Sequence, residues 1–247
     1  MTSKQAVLKL YKNRGETPLE CLERFKKNNS EYKEERMTYA GRLDPLAGGL
    51  LLVIVGNEYK NKENYLKLDK EYELDILLGF ATDSYDLLGK VTKIAEKSFT
   101  YDVKDFSAIL NTFVKKFKQK YPPYSSKYFA KARSGELNEE EISEKEVEIK
   151  SIKFLDKKII SKNDLEKYIN ESILLVNGDF RQGEILNIWS QIFRQDLKSK
   201  TFPIISLRVS CTSGTYMRSL ANSIGEIIGI PALALMIKRT KIGKYKI

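Results

Sequence analysis

The chain predicts an α+β fold built on a mixed, largely antiparallel sheet. Three observations carry that prediction. Period-two alternation recurs at Leu8 to Lys12, Tyr72 to Leu78 and Ile205 to Cys211, the pattern of strands buried on one face. Helical stripes are interspersed between these stretches rather than segregated from them. One continuous apolar run, Leu50 to Val55, reads as a strand covered on both faces. The 247 residues show no internal repeat and no low-complexity linker, so residues 1–247 are read as a single domain.

Taken in order, the first strand ends at the turn signal Asn13-Arg14-Gly15. A helix follows, because Thr17 can cap, Pro18 suits the first helical position and Glu20 completes a capping box. Leu19, Leu22 and Phe25 give it one apolar face, and Lys26 to Glu35 reads as its solvated end. The apolar strand from Leu50 stops at Gly56-Asn57, and Lys60 to Leu68 is expected to turn helical. The strand from Tyr72 ends at Gly79, and Ala81 to Asp86 reads as a polar acidic loop closed by Gly89. Thr100 is a candidate cap for a helix carrying Phe106, Ile109, Leu110, Phe113, Val114 and Phe117 on one stripe. An extended tyrosine-rich loop covers Tyr121 to Tyr128, then a solvated acidic run from Glu136 to Glu146. Val147 opens a strand that continues irregularly through Phe154. Two helical patterns follow, Asp164 to Val176 and Phe180 to Leu197, the second docked by Trp189, Ile192 and Phe193. After the strand at Ile205, a Thr212-Ser213-Gly214-Thr215 turn leads into a helix with Met217, Leu220, Ile224, Ile227 and Ile228 on one face, ended by Gly229. Ala234 to Tyr245 reads as a short basic tail.

Composition narrows the chemistry. Forty-three basic against 33 acidic residues leave a net charge of +10, an excess that favours a polyanion such as nucleic acid, or an acidic membrane surface. There is no histidine, which removes the commonest general base and the commonest metal ligand. The two cysteines, Cys21 and Cys211, match no metal spacing and read as buried small hydrophobes in a reducing compartment. Met1 to Gln5 carries no apolar signal region and no run reaches membrane-spanning length, so a soluble cytoplasmic protein is expected. Neither a phosphate loop nor a dinucleotide fingerprint is present. A carboxylate therefore remains as nucleophile or base.

Asp44 is the candidate. It lies in Gly41-Arg42-Leu43-Asp44-Pro45-Leu46-Ala47-Gly48-Gly49, where glycines permit close approaches and Pro45 pushes Asp44 toward extended backbone. A carboxylate among leucines needs a cation or it takes up a proton. Arg218 falls in the first turn of the last predicted helix, where the macrodipole disfavours positive charge; an acid from elsewhere in the fold would explain it.

These residues carry a resemblance. Gly41 to Leu51 resembles the catalytic motif of pseudouridine synthases, and its Pro-Leu-Ala-x-Gly continuation is similar to that of the TruB family, the tRNA pseudouridine(55) synthases. Lys70-Glu71-Tyr72, the Thr82-Asp83 loop, Pro122-Pro123-Tyr124-Ser125-Ser126-Lys127 and Cys211-Thr212-Ser213-Gly214-Thr215-Tyr216-Met217-Arg218 resemble four further motifs of that family, in its order. The resemblance implies the pseudouridine synthase fold, a mixed bent sheet flanked by helices with a cleft on one face. It implies isomerisation of a uridine in the T arm of tRNA, without cofactor or metal. Asp44 would be nucleophile or base, Tyr72 would stack on the flipped uracil, and Arg218 would pair with Asp44. Tyr39, Arg42, Tyr216, Leu220 and Lys12 would bind substrate or support the loop. Ribosomal RNA is the alternative substrate, because Gly-Arg-Leu-Asp is also similar to the ribosomal-RNA synthases. A tRNA-binding or tRNA-folding protein without catalysis is the alternative from another class. The chain departs from the family at Tyr39 (usually His), Arg42 (usually small), Asn13 (usually Pro) and Gly48 (usually Thr). It looks shortened after Tyr124 and inserted at about 157–203, and it is expected to lack the family's C-terminal RNA-binding PUA domain.

Overall fold

A computed structural model describes residues 5–96, 103–125 and 127–247. The candidate cap Thr100, Met1 to Lys4 and Ser126 of the tyrosine-rich segment lie outside the described residues. In chain order the elements are β1 (Val7–Lys12), α1 (Pro18–Asn28), β2 (Met37–Tyr39), β3 (Ala47–Val55), α2 (Lys62–Leu66), β4 (Lys70–Leu78), β5 (Phe80–Thr82), β6 (Val91–Ile94), α3 (Val103–Thr112), β7 (Lys116–Lys120), α4 (Phe129–Ser134), β8 (Glu144–Ser161), α5 (Lys162–Leu174), α6 (Gln182–Arg194), β9 (Thr201–Cys211), α7 (Met217–Ile228), β10 (Ala232–Ile242) and β11 (Tyr245–Lys246). The main sheet runs β1-β3-β10-β4-β9-β8-β7, with β2 on β3 and β11 on β10. Only the β3–β10 pairing is parallel among its described ladders, so the mixed, largely antiparallel sheet stands. Among the described residues no helix is long and apolar enough to cross a membrane.

Local chemistry explains most boundaries. Thr17 and Glu20 form the expected reciprocal capping box at the start of α1. Strand β3 is buried at all nine positions, as its unbroken apolar run requires. Strand β4 alternates buried and half-buried residues until Leu77 and Leu78 enter the core. The inner face of α7 packs Met217, Leu220, Ala221 and Ile224 against β4 and β9 residues Tyr72, Leu74, Leu207 and Val209; Ile227 faces solvent instead. Helices α5 and α6 form a hairpin between β8 and β9. Their apolar stripes close over Phe80, whose ring lies 5.1 Å from Trp189 and 6.2 Å from Phe193. Cys21 and Cys211 are free and buried.

Three expectations are corrected. The stripe from Phe106 to Phe117 is not one helix: α3 stops at Thr112 and Phe117 lies on β7. The cause is visible across the ladder, where Lys116, Lys118 and Lys120 face Glu148, Glu146 and Glu144, and opposite charges at facing positions stabilise strand pairing. The same ladder takes the end of the acidic run, which enters β8 at Glu144. Residues 234–245 are not a tail. They form β10 and the turn to β11, with β10 between β3 and β4 and Ile242 fully buried. The polar acidic loop at 81–86 stands, with Thr82, Ser84 and Asp86 buried within it. Only Lys62–Leu66 of the polar segment is α-helical, after a 3-10 turn over Gly56–Asn61.

Candidate active site

Asp44 sits in the connection from β2 to β3. Gly41 takes φ +89° there, a conformation that side chains resist. The carbonyls of this connection cannot all reach a neighbouring strand, and buried carbonyls need donors. Two buried cations supply them. Lys12 donates from Nζ to the carbonyls of Ala47 at 2.6 Å, Asn13 at 3.0 Å and Pro45 at 3.2 Å. Arg239 donates through Nε to Leu50 at 2.8 Å and through its two Nη groups to Arg42 and Gly41, each at 3.2 Å. Burial pulls the Lys12 amine down to about 8, although Glu16 and Asp44 oppose it.

The Asp44 carboxylate meets Arg218 as a two-pronged pair, Nε to Oδ2 and Nη2 to Oδ1, both 2.9 Å. The arginine is 3% exposed and the aspartate 33%, so one partner is fixed in the core and the other opens to the cleft. Arg218 also donates through Nη1 to the Ser84 carbonyl at 3.0 Å, and Asp86 Oδ2 lies 3.6 Å from its Nε. Burial would lower the guanidinium's proton affinity, but Asp44 and Asp86 outweigh it and push it up. The cation at the wrong end of the α7 dipole is thus held by two acids. Burial pushes the Asp86 carboxyl up, with Arg218 opposing; Ser84 Oγ and the Leu88 amide donate to Asp86 Oδ1 at 2.6 and 2.9 Å.

A cleft of about 670 Å³ opens over this pair, and Asp44, Tyr72, Arg218, Tyr39, Arg42 and Tyr216 all line it. Tyr72 reaches it from β4, and burial pushes its phenol up. Tyr216 precedes α7, fixed by Gln119 of β7 through Gln119 Oε1 to its amide (2.8 Å) and Gln119 Nε2 to its carbonyl (3.1 Å). Burial, with Asp44 adding, pushes the Tyr216 phenol up to about 12. The ring of Tyr121 lies 5.3 Å from that of Tyr216, and the Lys127 ammonium stands 4.8 Å over Tyr121 and 5.2 Å over Tyr128. An aromatic and basic surface therefore leads outward from the cleft.

Two expected site residues lie elsewhere. Leu220 is fully buried in the α7 core, because it points inward with Ile224 on the helix's apolar face. Lys12 is fully buried beneath the loop and does not reach the cleft wall. The structure adds Ile237, Arg239, Asp86 and Arg181 to the lining. The first two come from β10, which reads from sequence as a tail. Asp86 reads as one residue of a polar acidic loop, and no periodic pattern marks it. Arg181 lies at the hairpin tip, where only the folded chain shows its neighbours. Among the described residues no three acidic or cysteine side chains gather as metal ligands.

Comparison with known proteins bears on this site. A family model described as TruB family pseudouridylate synthase (N terminal domain) matches residues 29–170. The tRNA pseudouridine synthase B of Oceanobacillus iheyensis is 28% identical over 239 residues, covering 97% of this chain and 66% of that protein. The enzyme of the same name from Borreliella burgdorferi is 28% identical over 245 residues, covering 97% and 70%. Among solved structures, a Cbf5-Nop10-Gar1 complex aligns with TM-score 0.60 at 18% identity, over 97% of this chain and 49% of the matched one. An H/ACA RNP bound to a substrate RNA containing 2'-deoxyuridine aligns with TM-score 0.56 at 17% identity, over 97% and 48%. These structures share the fold. The chain spans about two thirds of the curated relatives' length and about half of the solved chains.

Proposed function

The chain belongs to the TruB family of pseudouridylate synthases, and from that premise we propose that it isomerises a uridine in the T arm of tRNA, at position 55, to pseudouridine. The observation that carries the reading is the forked Asp44–Arg218 pair, buried on the arginine side and open on the aspartate side, at the floor of a cleft within the size range of small-ligand sites. A base must leave its stack to enter such a pocket. There the N1–C1′ glycosidic bond breaks, the uracil turns, and C5 bonds to C1′. C5 loses its proton and N1 gains one, so the net change is an isomerisation. Asp44 acts as nucleophile or base, and the two-pronged contact from Arg218 holds it aimed. Tyr72 stacks on the uracil; its phenol, kept neutral by burial, passes on a proton only as it takes one up. Tyr39, Arg42 and Tyr216 contact the RNA from the rim, while Lys12 supports the loop. The α5–α6 hairpin corresponds to the expected insertion at about 157–203 and stands in for part of the family's RNA-docking surface. An enzyme of this kind works on tRNA in the cytoplasm.

The test is to incubate the purified chain with unmodified tRNA transcripts and with ribosomal RNA, and to map pseudouridine at nucleotide resolution. The reading predicts modification confined to the T arm. Modification of ribosomal RNA alone would replace the substrate, and RNA binding without any pseudouridine would replace the enzyme by a binding protein.

A further inference from the structure

The tip of the α5–α6 hairpin reaches the cleft through Asp179, Phe180 and Arg181. Arg181 stands just before α6 with φ +65°, a left-handed conformation that a long side chain adopts only when its surroundings hold it there. Its guanidinium is 14% exposed and donates to Asp83 Oδ2 at 2.9 Å and Oδ1 at 3.2 Å. It also lies 3.9 Å over the Tyr124 ring, with Nη1 2.6 Å from the Tyr124 hydroxyl. One residue therefore grips two loops.

Those two loops hold Arg218. Ser84, next to Asp83, offers its carbonyl to Arg218 Nη1 at 3.0 Å, and the Tyr124 carbonyl lies 3.5 Å from Nη2. The first loop is itself strained, since Tyr85 sits at φ +64°, so its geometry needs outside support. Asp83 supplies part of that support by accepting the Lys90 amide at 2.9 Å. The hairpin does not need Arg181 to dock, because Trp189 and Phe193 seat it on Phe80. A purely structural role leaves the grip on both loops unexplained.

We infer that Arg181 is a positioning residue that clamps the 83–86 and 122–125 loops so that their carbonyls hold the Arg218 fork on Asp44. Its meaning for turnover rests on the proposed activity; the clamp itself does not. The experiment compares the wild-type chain with Arg181→Ala, Arg181→Lys and Glu184→Ala. The last removes the ion pair from Glu184 of α6 to the Lys90 ammonium and leaves Arg181's own contacts with Asp83 and Tyr124 in place. Two readouts are taken: single-turnover conversion of a T-arm stem-loop RNA, with its dissociation constant measured separately, and hydrogen exchange of the Arg218 Nε proton, identified by NMR as the signal lost in Arg218→Lys.

Arg181→Ala is expected to slow conversion by about 100-fold, the cost of a small misalignment of reacting groups, with RNA affinity little changed. Exchange at Arg218 Nε should quicken by about tenfold as the loops open locally. Arg181→Lys should recover part of both, because it keeps the charge facing Asp83 but not the fork or the flat stack on Tyr124. Glu184→Ala should match the wild type. Unchanged exchange in Arg181→Ala, or an equal effect in Glu184→Ala, overturns the clamp. A wild type that makes no pseudouridine overturns the proposed activity, while the exchange comparison still decides the clamp.

Discussion

At the scale of single residues, the site is a matter of which charges the fold can satisfy. Asp44 and Arg218 were legible in the sequence because each was awkward alone: a carboxylate among leucines, and a cation at the positive end of a helix. Their contact resolves both difficulties. Arg239 and Asp86 were not legible, since an arginine in a run of surface-like lysines and an acid in a polar loop carry no local sign of burial. Lys12 gives a pH prediction. Burial holds its amine at about 8 against an ordinary value of 10.5. Between those two values the unfolded chain binds more protons than the folded one, so stability rises with pH across that window. Urea unfolding at pH 7 and pH 9.5 should show the wild type gaining stability relative to Lys12→Met at the higher pH. A difference that stays flat would mean that the Lys12 amine is not lowered.

At the scale of elements, periodicity identified most strands and helices and failed where partners decide. The capping box of α1, the buried run of β3 and both hairpin helices follow from local sequence. β7 does not, because its lysines become a strand only opposite the glutamates of β8. β10 does not either: its pattern is diluted by Lys238, Arg239 and Lys241, and it is a strand because β3 and β4 leave a gap of strand width between them. That pairing is close enough to constrain side chains. Gly49 takes φ +105°, and a Cβ there would fall 2.3 Å from the Arg239 carbonyl oxygen. Gly49→Ala should therefore cost at least about 2 kcal/mol, read as a lower denaturation midpoint. An unchanged midpoint would place β10 farther from β3 than described.

At the scale of the whole molecule, the sheet presents a cleft whose floor carries the Asp44–Arg218 pair and whose rim is basic and aromatic. Fold class and cleft chemistry were legible together because the family's motifs sit where strands and loops meet. The hairpin's share in the cleft was not, since nothing in a helical stripe says what its tip will touch. The surplus of +10, with Arg42 and Lys127 near the cleft mouth, predicts RNA binding that weakens with salt by about 100-fold between roughly 50 and 200 mM, as counterion release requires for several phosphate contacts. Fluorescence anisotropy on a labelled T-arm stem-loop measures this, and a flat salt response would remove the electrostatic account of docking.

The central claim is that the cleft at Asp44 converts uridine to pseudouridine. It is tested most directly by Asp44→Asn, which keeps the shape of the side chain and removes its charge. The account predicts no detectable pseudouridine in a T-arm transcript after prolonged incubation, with RNA affinity close to that of the wild type. Pseudouridine formed by Asp44→Asn at a rate near the wild type's would contradict it.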